Sequence, residues 1–322
     1  MSTTASPEVL SITDVLRDLE AGRSLPLPPS NRIISLHPRP RPTIGGRIMA
    51  RTYISAKALG RIHPRLARPA LRRLWFTPWV HPSALMPVRD LPDDAVPWSL
   101  EVDGTTVRGY AAGTGPTVVL VHGWAGRAAD WRHLAAQLVD DGWRIVAPDL
   151  PAHGMTKGRT TDLYELGRAV AAVLANEEPA AVISHSLGFP MVMRAIEDGS
   201  DHPPKMVALS PGRRMEHALQ TFARQARLGA PLERELRRAI QRTFGHDVFE
   251  RMDVDRVLPS MTSDGLVIHD AHDEDVPLDD GQAIADLWPN AQFVVTEGLG
   301  HRLILRDPAV HDQIVRYLSA RS

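Results

Sequence analysis

From Trp98 onward, short runs of apolar residues alternate with segments in which apolar residues recur at helical spacing. Runs of this length that are apolar on both faces are typical of strands buried on both sides of a sheet. The alternation predicts an α/β fold with a mostly parallel sheet and helices on both of its faces. The runs are TVVLVHG (117–123), RIVAPDL (144–150), AAVISHS (180–186), KMVALSP (205–211), GLVIHD (265–270) and AQFVVTEG (291–298).

The order of these runs also predicts where a ligand binds. Right-handed crossovers bring the loops that follow the parallel strands to one edge of the sheet, where α/β proteins hold their ligands. Before the first of these strands, WSLEV and TVRGYAAG flank the Asp103-Gly104 turn, which predicts an antiparallel hairpin. We therefore expect the functional residues in the loops that follow the strands.

One interval is too long for a simple crossover. Residues 212–264 separate two predicted strands where a single helix would suffice, and they contain two amphipathic patterns, MEHALQTFARQARL and LERELRRAIQRTF. We expect a small helical cap inserted above the sheet edge. The alternative is a longer crossover with no part in recognition.

Composition limits the class of protein. Of 322 residues, 43% are apolar and 23% are charged, which excludes a disordered chain, a collagen and a coiled coil. The absence of cysteine excludes disulfides, thiolate zinc sites and cysteine nucleophiles. No stretch approaches the roughly 20 apolar residues of a membrane span, and the first residues lack the pattern of a signal peptide. We expect a cytoplasmic protein, with peripheral membrane attachment as the alternative.

The N-terminal residues 1–95 differ in charge from the rest of the chain. Between Ala21 and Arg89 there are thirteen Lys or Arg residues and no Asp or Glu, and the segment is rich in proline. This composition predicts a basic extension with short helices, followed by the α/β domain at 96–322. The extension would pack against the acidic domain, or rest on an anionic membrane through residues 47–79 with Trp75, Phe76 and Trp79 as interfacial anchors. No nucleic-acid partner is expected, because no recognisable nucleic-acid-binding fold accompanies the basic residues.

The strongest chemical signal is Ser186, in the sequence Ser184-His185-Ser186-Leu187-Gly188. A buried strand ends there and a helix begins at once, so a sharp turn would present the serine hydroxyl and small flanking residues would let the chain pass closely. The alternative is a structural role, in which the serine only caps the helix. A serine nucleophile needs a base, and that base needs an orienting acid.

Two later loops provide the base and the acid. Asp273 follows one predicted strand and His301 follows the next, so the chain order is Ser, Asp, His. This order is the one that serine hydrolases of this architecture use. Asp275 is the reserve candidate for the acid.

The stretch from Trp98 to Leu318 resembles the α/β-hydrolase superfamily. The resemblance rests on the motifs VLVHGW, VAPDLPAHG, SHSLG, IHDAHDEDVP and GLGH. It implies an α/β-hydrolase fold and catalysis without a cofactor. Carried over by position, it makes Ser186 the nucleophile, His301 the base and Asp273 the acid, with the backbone N–H groups of Trp124 and Leu187 as the oxyanion hole.

Two positions depart from the family pattern. Ser184 and Asp270 stand where glycine is common, the first in the serine motif and the second in the acid loop. The serine concerns only the fine geometry of its turn, whereas Asp270 brings four carboxylates within six residues, of which Asp273 is chosen by register.

Structural roles are expected for most of the other polar residues near the predicted site. His269 and His272 have metal-ligand spacing, but one short loop rarely forms a closed site, so no metal is predicted. His122 and His185 flank the predicted site, where each would pack structurally or touch the substrate. Asp149 is expected to anchor a loop. No glycine-rich phosphate loop is present.

The sequence therefore predicts a serine hydrolase of carboxylic esters that forms an acyl-enzyme on Ser186. A serine at this position argues against haloalkane dehalogenases and epoxide hydrolases, whose nucleophile is an aspartate. Apolar cap residues expected to line an acyl pocket suggest a small-molecule substrate with a medium acyl chain: Phe222, Leu228, Leu232 and Phe244. Thioesterase, lactonase and acyltransferase activities share the same three residues and remain alternatives, as does a non-catalytic module that binds a membrane or a partner. The oligomeric state is not predicted.

Overall fold

The fold centres on one eight-stranded sheet. The computed structural model describes residues 56–60, 63–78 and 91–320. Along the sheet the strand order is β1-β2-β4-β3-β5-β6-β7-β8. The strands are β1 (Val96–Val102), β2 (Thr105–Ala112), β3 (Thr117–Val121), β4 (Arg144–Asp149), β5 (Ala181–His185), β6 (Lys205–Leu209), β7 (Asp264–Asp270) and β8 (Ala291–Thr296).

Strand pairing confirms the predicted mostly parallel sheet. Strands β3 to β8 pair in parallel with their neighbours. The hairpin β1-β2 is antiparallel, and β2 also pairs antiparallel with β4, a pairing that the apolar pattern alone does not indicate. In the hairpin turn, Asp103 and Gly104 both have positive φ, of 49° and 77°. Such values let a two-residue turn follow the twist of its strands.

Helices cover both faces of the sheet, as the sequence predicts. The α-helices whose bounds the structure gives, on the sheet or elsewhere, are α1 (Arg68–Phe76), α2 (Arg132–Asp140), α3 (Leu163–Glu177), α4 (Gly188–Glu197), α5 (Met215–Gln225), α6 (Ala230–Phe244), α7 (Val248–Arg251), α8 (Leu278–Leu287), α9 (Gly300–Leu303) and α10 (Pro308–Ser319). Helices α3, α4 and α8 bury their apolar faces with one side of the sheet. Helices α2 and α10 do so with the other side.

The interval 212–264 contains helices α5, α6 and α7 and two short 3-10 turns. Leu219 of α5, Leu236 and Ile240 of α6 and Phe249 of α7 pack in a third cluster, separate from the two that cover the sheet. We refer to α5, α6 and α7 as the cap helices.

The described part of the N-terminal extension joins this third cluster. Helix α1 follows a 3-10 turn, Pro64–Ala67, and both Pro64 and Pro69 stand in the first turn of their helices, where a missing N–H is tolerated. Leu71 and Leu74 of α1 are fully buried in the third cluster. Of the three fates considered for the basic extension, packing against the domain is the one seen for these residues.

Membrane attachment through residues 47–79 stays a prediction, because much of that range, including Trp79, lies outside the described residues. In the parts of the chain that the structure describes, no helix has the length and apolarity needed to cross a membrane.

Candidate active site

Ser186 lies in the sharp turn between β5 and α4, and we call residues 184–188 the serine turn. Its φ of 53° lies in the left-handed region, which costs a non-glycine residue about 1–3 kcal/mol. Backbone hydrogen bonds hold this conformation. The Ser186 N–H donates to the Leu209 carbonyl at 3.0 Å, and the Ser186 carbonyl accepts from the Gly212 N–H at 3.2 Å.

Small residues make room for the serine turn. A Cβ on Gly188 would lie 2.5 Å from a backbone carbonyl oxygen of β3, so only glycine fits there. Ser184, at the position where glycine is common, is fully buried. Its hydroxyl donates to the Val207 carbonyl at 3.3 Å, which satisfies the one polar group that serine adds.

The structure brings the three predicted catalytic side chains into one hydrogen-bonded chain. The Ser186 hydroxyl lies 2.9 Å from Nε2 of His301. On the other side of the ring, Nδ1 of His301 lies 2.8 Å from the Asp273 carboxylate. Since an ionised carboxylate only accepts, Nδ1 donates to it and Nε2 is left to accept the serine proton. This is the arrangement that activates a serine hydroxyl.

The Asp273 side chain is fully buried and remains ionised. Burial raises its pKa, but the hydrogen bond and charge of His301 and the Val276 N–H lower it, with a net pKa of about 2. The second carboxylate oxygen accepts from the N–H groups of Asp275 and Val276, both at 2.9 Å. Asp275, the reserve candidate, instead accepts from the Gln225 amide of the cap at 2.7 Å.

Asp270 ties the acid loop to the histidine loop. Its fully buried carboxylate accepts from the His272 N–H at 2.9 Å, the Thr296 hydroxyl at 2.8 Å and the Leu299 N–H at 2.9 Å. Burial raises the pKa of this carboxyl, whereas the backbone N–H groups, including that of Gly300, bring it below its usual value. The departure from glycine at this position thus provides an anchor between the two loops. The sequence motif alone gives no sign of it.

His185 supports the histidine loop from the strand side. Its Nε2 donates to the His301 carbonyl at 2.8 Å, and the two ring centroids are 4.7 Å apart. Burial first, and then the neighbouring His301, lowers the pKa of His185 to about 3, so its ring is neutral. Its contact with His301 spans residues far apart in the chain, which sequence reasoning does not reveal.

The two residues predicted to form the oxyanion hole lie at the cavity that contains the serine. Trp124 and Leu187 both line the cavity that contains Ser186. Within the described part of the chain, neither N–H donates a hydrogen bond. Donors held in this way at a serine stabilise the negative oxygen of a tetrahedral intermediate.

Two buried histidines hold the loop that carries Trp124. Nε2 of His122 accepts from the Leu150 N–H at 3.0 Å, and Nε2 of His153 accepts from the Ala125 N–H at 3.1 Å. Burial lowers the pKa of His122 to about 4. Burial, together with the charge of His122, lowers that of His153 to about 3. Both rings are therefore neutral supports of the loop.

Asp149 anchors the neighbouring loops, as expected from the sequence. Its carboxylate accepts from the Ala128 N–H at 2.6 Å and from the Met155 N–H at 2.8 Å. The two histidines with metal-ligand spacing also have structural partners. His269 donates to the Val276 carbonyl at 3.1 Å, and His272 accepts from the Gly298 N–H at 3.3 Å.

A cavity of about 500 Å³ opens above Ser186. Its apolar wall has contributions from cap helix α5, from Leu163 at the start of α3 and from Trp75 and Phe76 of α1. Of the cap residues expected to line an acyl pocket, Phe222 does so. Leu228, Leu232 and Phe244 pack around the third apolar cluster.

A serine raised on a strand-to-helix turn of a mostly parallel sheet, with a later histidine that contacts it and an aspartate that contacts the histidine, is typical of hydrolases. The fold and the site are thus those of a hydrolase. The chain belongs to the alpha/beta hydrolase family, whose model matches residues 118–312.

The individual proteins to which this chain is similar include esterases. A pimeloyl-(acyl-carrier protein) methyl ester esterase of Xanthomonas oryzae pv. oryzae is 27% identical over 227 residues, covering 59% of this chain and 89% of that protein. The structure of an esterase from Rhodococcus sp. ECU1013 has a TM-score of 0.55 and 21% identity, covering 71% of this chain and 100% of that one. An esterase from Exiguobacterium antarcticum has a TM-score of 0.54 and 18% identity, covering 69% of this chain and 99% of that one. At these identities the two structures show the fold alone.

Proposed function

We propose that the protein hydrolyses carboxylic esters with a medium-length, mostly apolar acyl chain, through an acyl-enzyme on Ser186. The observation that most directly supports this function is the hydrogen-bonded chain from Ser186 through His301 to Asp273, with contacts of 2.9 Å and 2.8 Å. A merely structural serine has no need of an imidazole nitrogen on one side and a buried carboxylate behind that imidazole.

The acylation step follows from the roles of these atoms. As Oγ of Ser186 forms a bond to the ester carbonyl carbon, its proton passes to Nε2 of His301, and the carbonyl electron pair moves to the oxygen. The N–H groups of Trp124 and Leu187 bind this oxyanion, and each such donor contributes about 3–4 kcal/mol in comparable sites. Asp273 holds the imidazolium that forms. The carbonyl then reforms, the C–O bond breaks, and the alcohol leaves with the proton from His301.

Deacylation repeats these steps with water in place of the serine hydroxyl. His301 takes a proton from the water as its oxygen attacks the acyl carbonyl, and then returns that proton to Oγ of Ser186. The products are a carboxylic acid and an alcohol, and the enzyme ends in its starting form. No cofactor takes part in this scheme.

Two further observations support an ester substrate. The cavity above Ser186 is mostly apolar, which suits an acyl chain better than a sugar or a charged group. The curated relative from Xanthomonas oryzae is a methyl ester esterase and matches over 59% of this chain. We therefore place an acyl chain in the cavity and a small alcohol as the leaving group.

A fluorophosphonate probe tests the proposal directly, because it forms a covalent adduct only with an activated serine. Purified wild-type protein should gain one adduct in intact-mass measurement, and Ser186→Ala and His301→Ala should gain none. Ser99→Ala is the matched control, since that serine is exposed on the edge strand β1 and should not affect labelling.

Substrate class is then measured with p-nitrophenyl esters and with acyl thioesters of the same chain length. A higher kcat/KM for the oxygen esters supports the proposal, and a marked preference for thioesters would assign the site to thioester hydrolysis. A folded wild-type protein that takes no adduct would contradict the proposal and favour a binding role.

A further inference from the structure

We propose that helix α1, which precedes the hydrolase sheet in the chain, forms part of the acyl pocket, with Trp75 as a residue that determines acyl-chain specificity. This inference rests on the proposed function, and it concerns a segment outside the stretch that resembles the hydrolase superfamily. The supporting observation is that Trp75 and Phe76, at the end of α1, line the same cavity as Ser186 and His301.

Apolar packing fixes α1 on the cap. Leu71 and Leu74 are fully buried, in one cluster with Leu219, Leu236 and other cap residues. Burial of these two leucines stabilises the contact, because apolar surface is removed from water. The helix is thus an integral part of the cap surface.

A buried ion pair sets the position of α1 along cap helix α6. Nε of Arg68 donates to the Glu235 carboxylate at 3.0 Å, and the other carboxylate oxygen accepts from Arg238 at 2.6 Å. The Glu235 side chain is only 4% exposed. Since a buried carboxylate is costly unless it is paired, the ion pair with Arg68 favours this position of α1 along α6.

Aromatic contacts then orient the end of α1 at the cavity. The Trp75 ring meets Phe222 edge-on, with centroids 5.2 Å apart and planes at 85°. The Phe76 ring lies 5.7 Å from that of Phe244. The Phe76 carbonyl accepts from the Thr161 N–H at 2.9 Å, which ties the helix end to the loop before α3. Rings held in this way offer a rigid apolar surface to a ligand.

The chemical consequence is a dependence on acyl length. An acetyl group occupies little beyond the oxyanion site, whereas a longer chain fills the apolar cavity and contacts its walls. In a hydrophobic pocket, one methylene group changes kcat/KM by about tenfold or more. Removing the Trp75 ring should therefore penalise long acyl chains more than short ones.

The experiment compares kcat/KM for p-nitrophenyl octanoate and p-nitrophenyl acetate in the full-length chain. In Trp75→Ala the octanoate-to-acetate ratio should fall about tenfold relative to the wild type. Leu66→Ala is the matched control, because that side chain belongs to the same segment, is 50% exposed and does not line the cavity. Its ratio should equal that of the wild type.

A ratio in Trp75→Ala within twofold of the wild-type value would overturn the inference. If Trp75→Ala does not fold, Trp75→Leu decides, since leucine preserves an apolar contact with Phe222. A fall of about threefold or more would then support the inference, and an unchanged ratio would overturn it. Fluorophosphonate labelling of wild-type Ser186 separates this result from a failure of the proposed function, because labelling does not depend on acyl length.

Discussion

The imidazole of His185 lies against that of His301, with ring centroids 4.7 Å apart, and donates to the His301 carbonyl at 2.8 Å. The residue immediately before the candidate nucleophile thus supports the backbone of the candidate base. Because its pKa is lowered to about 3, mainly by burial, His185 keeps its donor and adds no positive charge near neutral pH.

Replacing His185 should slow the reaction without weakening substrate binding. In His185→Ala we expect kcat to fall about tenfold with KM nearly unchanged, because a small displacement of the base lowers the rate strongly. Labelling by the fluorophosphonate should slow to the same extent. His202→Ala is a suitable control, since its ring contacts Thr262 at a distance from the site. A change confined to KM would contradict this role.

Lowering the pH should destabilise the fold at pH values above those that protonate Asp273, the candidate catalytic acid. His122, His153 and His185 have lowered pKa values of about 4, 3 and 3, in each case mainly through burial. Below pH 6.5 the unfolded chain binds protons that the folded protein refuses, so the free energy of unfolding decreases as pH falls. Each histidine contributes about 1.4 kcal/mol per pH unit, or about 4 kcal/mol for all three.

Urea denaturation between pH 4.5 and pH 7.5 measures this slope. His153→Asn, which lacks a titrating ring, should be less stable at pH 7 but lose stability less steeply on acidification. Equal slopes for the variant and the wild type would contradict the pKa lowering at His153.

Weakening the Asp270 anchor should affect both stability and rate. Asp270→Asn places an amide NH₂ among hydrogen-bond donors in a buried position, so we expect a loss of about 2–4 kcal/mol in unfolding free energy. If Asp270 also positions the Asp273 and His301 loops, kcat should fall at least tenfold while KM changes little. Asp279→Asn, at an exposed position in the first turn of α8, is the matched control. Unchanged kcat in a folded variant would leave Asp270 with a structural role alone.

A methyl group should be tolerated at a glycine that contacts the serine turn but not at the glycine within it. A Cβ on Gly188 would lie 2.5 Å from the Val121 carbonyl oxygen, whereas the nearest atom to a Cβ on Gly212 is 3.6 Å away. We expect Gly188→Ala to lose at least about 2 kcal/mol of stability and its labelling by the probe. Gly212→Ala should remain within about 1 kcal/mol of the wild type. Thermal unfolding and intact-mass labelling check both expectations.

The sheet and the serine turn could be predicted because local pattern and final environment agree there. The five residues of β5 are buried, and they form the apolar run that precedes Ser186. The Ser-Asp-His order likewise led to three side chains that contact one another. Their catalytic roles stay predictions, which the labelling experiment tests.

The rest of the site depends on contacts between distant residues. Asp270 reaches Thr296 and Leu299, and His185 reaches the His301 carbonyl, across separations that no local spacing encodes. Trp75 stands in a basic segment, where an aromatic residue fits a membrane anchor as well as a pocket wall. Only the packing of α1 on the cap distinguishes these possibilities for Trp75.

Helix α1 has a consequence for how such an enzyme can change over generations. The strands and the serine turn are so closely packed that few substitutions are tolerated there. Helix α1 lines the cavity from a segment that packs in the third cluster, apart from the two clusters that cover the sheet. The substrate range can therefore change when this leading segment is replaced, while the reaction chemistry stays the same. Two relatives with the same catalytic residues can then accept different substrates because different segments precede the shared sheet.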